Sequence, residues 1–142
     1  MKTLVSCKPT EFLKQTNLIR KSVEKWLTAT DILNIRQRLP HKELPSINST
    51  PEEREAINER NRAAEQEQIR KNLSAIFDAV LDTHADETLE VLALCCFVDP
   101  KNVDDYPVSE YINAFNELMN DEAVMSFFTS LVRMGQMSMR TA

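Results

Sequence analysis

Apolar residues recur at helical spacing along most of this chain. Phe12, Thr16, Ile19, Val23, Trp26 and Leu27 fall on one stripe and Lys14, Lys21 and Lys25 on the opposite side, which predicts an amphipathic helix from Pro9 to Leu27. Pro9 suits a first turn, where its missing N–H would be unpaired anyway. A shorter helix, 32–38, is expected behind a Thr30 or Asp31 cap, with Ile32, Ile35 and Leu39 as its apolar side and Pro40 as its stop. Residues 40–50 hold Pro40, Pro45 and a Ser/Asn/Thr cluster with neither period, so they read as a linker.

The third helix has the clearest start. Thr50 at N-cap, Pro51 at N1 and Glu53 at N3 form a capping box. Its first half, 51–68, has Ile57 as its only large apolar residue. That half reads as a polar helical arm, or as partly disordered, held by local pairs such as Glu67–Lys71 at about 0.2–0.5 kcal/mol each. In the second half Ile69, Leu73, Ile76, Phe77 and Val80 make a stripe expected to dock on a core.

The fourth helix, 86–97 with Asp86 as cap, is apolar all round. Leu89, Leu92, Ala93 and Cys96 share one face, and Val91, Leu94, Cys95 and Val98 cover much of the other, as in a central buried helix. Asp99-Pro100 stops it, and 99–107 is a connection. Helix five, 108–120, is expected to point Tyr111, Phe115, Leu118 and Met119 inward. Helix six begins near Asp121 with Val124, Phe127, Phe128 and Leu131 as its stripe, and Gly135 is placed for a left-handed C-terminal cap before a flexible tail, 135–142. No segment alternates like a strand and no repeat is present. The expectation is an all-α fold: one domain over 1–142, a compact bundle of about five to six helices with helix four at its centre.

Composition sharpens this picture. A chain of 142 residues buries roughly 70% of its unfolded surface and needs neither disulfide nor metal to build a core. There is a single glycine, whereas sheet-rich folds usually need several for turns and bulges. The net charge of −5 is uneven: residues 1–42 carry nine Lys/Arg against three Asp/Glu, and the remainder eight against nineteen. A basic N-terminal third can meet an acidic partner, nucleic acid or the chain's own acidic part. Three cysteines, two of them adjacent in an apolar run, make no disulfide framework and suit a reducing cytoplasm. No signal peptide is apparent, and the longest apolar run, 91–98, falls far short of the roughly 20 residues of a membrane span.

Candidate chemistry is sparse. His41 and His84 lie far apart and neither has a second ligand at helical spacing, so no metal site is expected. Adjacent Cys95 and Cys96 point about 100° apart on a helix and read as small hydrophobes rather than a redox pair. Cys7 has no partner histidine to argue its reactivity. Asp99, Asp104 and Asp105 lack the alternation and the glycine of a calcium loop. One glycine also excludes phosphate-cradling loops. No catalytic residue, metal or cofactor is expected.

Three segments carry a resemblance: KPTEFLKQTNLIRKSVEKWL at 8–27 with TDILNIRQRLP after it, ETLEVLALCCFVDP at 87–100, and EAVMSFFTSLVRMGQM at 122–137. On these the chain resembles the tail assembly chaperones of long-tailed phages and prophages of Gram-positive bacteria. The resemblance implies a helical, non-catalytic protein of the bacterial host cytoplasm. It implies binding of the tape-measure protein, the long helical ruler of the tail, with the tail-tube protein as a further partner, and in many members a frameshifted longer form. A homo-oligomer is compatible with it; a membrane partner is not expected. Because an extension would start near the C-terminus, and because methionine adapts to irregular surfaces, Phe128, Val132, Met134, Met137 and Met139 are the expected partner-binding residues.

The alternative reading is a small helical DNA-binding regulator. Lys14, Arg20, Lys21, Lys25, Arg36 and Arg38 concentrate in the first two helices, and Thr28–Asp31 could supply the turn of a helix-turn-helix. The early stop at Pro40 and a pI near 5.1 argue against an electrostatic grip on DNA.

Overall fold

A computed structural model describes the backbone of residues 1–141 and the side chains of residues 1–136. All regular structure among the described residues is helical: α1 (Pro9–Thr30), α2 (Ile32–Ile35), α3 (Pro51–Asp78), α4 (Ala85–Cys95), α5 (Val108–Asn120) and α6 (Glu122–Thr141). A π-helical turn, Ala79–Thr83, follows α3, and a 3-10 turn, Pro100–Asp105, precedes α5. The residues group into two units, one of 1–26 with 86–142 and one of 27–85.

The first unit holds the apolar core. Leu4, Cys95, Leu118 and Val124 form one buried cluster, with Phe12, Ile19, Val91, Phe97 and Phe128 packed against it. Ala93, Cys96, Tyr111 and Ala114 form a second, flanked by Leu92, Val98 and Val103. α4 feeds both clusters from its two sides, as its all-round apolar pattern requires. Polar contacts tie α1 to it: Gln15 Nε2 donates to the Leu94 carbonyl (2.6 Å), Trp26 Nε1 to Thr88 Oγ1 (2.8 Å), and Lys25 pairs with Glu90 (3.1 Å).

α4 ends in a Schellman motif. The Val98 N–H reaches the Ala93 carbonyl, the Phe97 N–H reaches that of Leu94, and Phe97 sits at φ 58°. Asp99 then caps the 3-10 turn by accepting from the Lys101 N–H (2.9 Å).

The second unit is built differently. Ile35 is its only fully buried hydrophobic residue among those described. Polar groups supply much of the rest. The capping box of Thr50 and Glu53 forms as expected at the start of α3. The segment before it, 38–43, lies along the polar half of the helix. Asn61 accepts from the Glu43 N–H (2.8 Å) and donates to the Glu43 carbonyl (2.9 Å), Arg60 and Lys42 pair with Glu43 and Glu65, and Asn72 Nδ2 holds the Arg38 carbonyl (3.1 Å). The 51–68 arm is thus helix, and its polarity serves the chain segment it anchors.

Several expectations need correction. α2 is one turn, ending at Ile35 rather than 38, and Asp31 before it is left-handed (φ 55°), with its carboxylate taken by Asn34 Nδ2 rather than by a backbone N–H. Asp86 lies inside the first turn of α4, not at its cap. Glu67 pairs with Arg70 (2.5 Å), which holds its carboxyl below the ordinary range, and Lys71 adds only a weaker charge effect. α5 buries Tyr111, Ala114 and Leu118, leaving Phe115 and Met119 exposed. α6 runs through Gly135, which is not left-handed and caps nothing.

Candidate partner-binding surfaces

The side chains considered for chemistry do not converge. Among the described residues no three His, Cys, Asp or Glu side chains gather to hold a metal ion. His41 is exposed on the segment between α2 and α3, and His84 ends the π-helical turn. Cys95 and Cys96 enter different core clusters. Burial pushes the Cys95 thiol up to about 11, helped by the neighbouring Cys96, and burial also raises Cys96. Neither supplies a thiolate near neutral pH. Cys7 Sγ, half-buried, donates to the Leu4 carbonyl. Asp104 and Asp105 are exposed, and the Tyr111 hydroxyl beside them donates to the Val103 carbonyl (2.8 Å). Burial raises the Tyr111 pKa first, with smaller contributions from Cys96, Tyr106 and these two carboxylates.

What the structure does offer is uncovered apolar surface. On α5, Val108, Ile112, Phe115 and Met119 are exposed, at successive spacings of four, three and four residues. That repeat keeps one line along a helix, beside the buried line of Tyr111, Ala114 and Leu118. The flank next to the exposed line carries Ser109, Asn113, Asn116 and Asn120, with no charge. On α6, Phe127, Leu131 and Met134 are exposed at spacings of four and three. Asp121 starts α6 by accepting from the Val124 N–H (2.9 Å), and this phases the helix so that Val124 and Phe128 turn to the core. Phe127 meets Phe12 edge-on (5.6 Å between centroids) and helps line an apolar pocket of about 370 Å³ with Cys7, Pro9, Phe12 and Leu13.

The expected partner-binding residues divide. Val132 and Met134 are exposed. Phe128 packs against the first core cluster and stacks on Phe12 (6.5 Å). The side chains of Met137 and Met139 lie outside the described residues. The α5 line stays hidden in the sequence when Phe115 and Met119 are taken as core residues. The signal was present: α5 carries apolar residues at more positions than one buried stripe uses.

In the second unit Ile69, Leu73, Phe77 and Leu81 are exposed at four-residue spacing. The stripe expected to dock on a core is therefore open at Ile69, Leu73 and Phe77. It begins at a pocket of about 440 Å³ between the 36–42 segment and α3.

Comparison with profiles of known protein families, with curated proteins and with solved structures returned no match to this chain. No described helix is long and apolar enough to cross a membrane.

Proposed function

We propose that this protein is a non-catalytic chaperone that binds a helical client, in the role the sequence resemblance implies: holding the tape-measure protein during phage or prophage tail assembly. The observation that supports this reading most is the uncharged, uncovered α5 line of Val108, Ile112, Phe115 and Met119. Apolar residues at alternating spacings of three and four are what an amphipathic client helix packs against. The α6 line and the Phe12–Phe127 pocket add apolar surface of the same kind. A long amphipathic client that aggregates alone gains solubility when such surface covers its apolar face and an acidic carrier faces the solvent.

The DNA-binding reading is not preferred. It rests on a recognition helix, and α2 offers four residues, a single turn.

Co-expression with the tape-measure protein of the same gene cluster, followed by affinity purification, tests the proposal. The client is expected to co-purify and to stay soluble only in the chaperone's presence. Phe115→Glu with Leu131→Glu, both at exposed positions, should abolish capture while leaving the helical circular dichroism unchanged. Failure of the parent chain to bind or solubilise the client would sink the reading.

A further inference from the structure

The basic N-terminal third has no part in the reading above, yet the structure gives some of its charges a definite place. Arg36, Arg38 and Lys42 stand around the pocket of about 440 Å³, whose apolar walls are Leu39, Pro40 and Ile69. Lys42 is paired with Glu65. Arg36 and Arg38 make no ion pair among the described residues. The site is held in shape from below: Asn72, buried, fixes the Arg38 carbonyl, and Gln68 Nε2 in turn donates to Asn72 Oδ1 (2.8 Å).

From Ile69 the surface continues along α3 as exposed Leu73 and Phe77, over about 12 Å at the helical rise. Leu39, beside the two arginines, is 86% exposed. Such a combination is expensive to leave open in a unit with one fully buried hydrophobic residue.

We propose that this pocket and the apolar line leading from it are the docking site for an acidic amphipathic helix of a protein partner. Its apolar side chains lie on Leu39, Ile69, Leu73 and Phe77, and its carboxylates meet Arg36 and Arg38. Guanidinium groups pair with carboxylates through two parallel N–H···O bonds, which fixes the register of the bound helix at that end. The walls favour a peptide over nucleic acid. The pocket walls Leu39, Pro40 and Ile69 are aliphatic where base stacking needs aromatic faces. The site lies wholly in the second unit and does not rest on the chaperone reading.

The test uses the full chain carrying Phe115→Glu and Leu131→Glu, which closes the α5 and α6 lines to the peptide, and a fluorescein-labelled synthetic helix with leucines at alternating spacings of three and four and glutamates on its flanks. Anisotropy should show saturable binding that weakens with salt. Arg36→Glu with Arg38→Glu should weaken it about tenfold or more. Leu73→Glu should do the same. A matching peptide with lysines for glutamates should not bind. No saturable binding, equal binding of the lysine peptide, or undiminished binding to the arginine variant would each overturn the proposal. So would a duplex oligonucleotide that binds in the peptide's place, or self-association of the free chain that disappears in the arginine variant. Loss of helix in Leu73→Glu alone would mean that the chain itself covers the stripe, with the same consequence.

Discussion

Phe97 stands where a helix end most favours glycine. Its left-handed backbone costs about 1–2 kcal/mol relative to an ordinary conformation. Three things offset that cost. The two Schellman hydrogen bonds close the end of α4, the ring packs against the first core cluster, and Lys2 Nζ lies 4.8 Å above its centroid while pairing with Glu11. A glycine would relieve the backbone and lose the ring. Cys95, two residues earlier, gives a prediction at the same scale. Its folded thiol, raised to about 11, keeps its proton where an unfolded thiol of ordinary pKa 9.0 has lost it. The contribution is therefore full below pH 9 and is lost as pH rises toward 11. Urea denaturation of the parent and Cys95→Ala across that window should show the parent losing stability more steeply; parallel profiles would refute the burial argument.

At the scale of elements, caps and phases decide more than propensity. Thr50 and Glu53 start α3 in a way the residues announce, because a capping box is local and its members are three apart. Gly135 is the opposite case. It looks like a stop, but α6 passes through it in right-handed conformation, and among the described residues nothing beyond the helix's own adjacent backbone lies within 4 Å of where a Cβ would stand. Gly135→Ala should therefore stabilise the chain by about 0.5–1 kcal/mol, read from the denaturation midpoint. A loss of stability would restore the cap. For α5 the helix bounds match the sequence expectation to the residue, yet the buried line is turned to Tyr111, Ala114 and Leu118. The Tyr111 hydroxyl, anchored on the Val103 carbonyl, fixes that turn from outside the helix.

Across the molecule, the two units differ in what holds them. The first buries Leu4, Ala93, Cys95, Cys96, Tyr111, Ala114, Leu118 and Val124, whereas the second buries Ile35 and relies on hydrogen bonds and ion pairs near solvent. Exposed pairs of that kind contribute little each. Amide exchange should accordingly be slowest in α4 and α5 and faster in the 38–50 segment. Asn61→Ala should speed exchange at the Glu43 amide, whose bond it removes, without reaching α4. Uniform protection across both units would contradict this division.

Legible in the residues were the all-α class, the start of α1 though not its last turn (Thr30 rather than Leu27), the extent of α5, the start of α3 and the two-sided role of α4. Each depends on residues close in the chain: a period, a cap, a proline. Tertiary structure alone decided that Leu4, in a segment with no periodic pattern, enters the core. It also decided that the polar arm serves as an anchor for residues 38–43, and which apolar lines stay open. Helical periodicity reports that a residue lies on an apolar side but not whether another element covers it. The stripe of α1 is covered in part, Ile69, Leu73 and Phe77 are not, and their patterns read alike. Coverage depends on partners distant in the chain, and that is where the candidate binding surfaces come from.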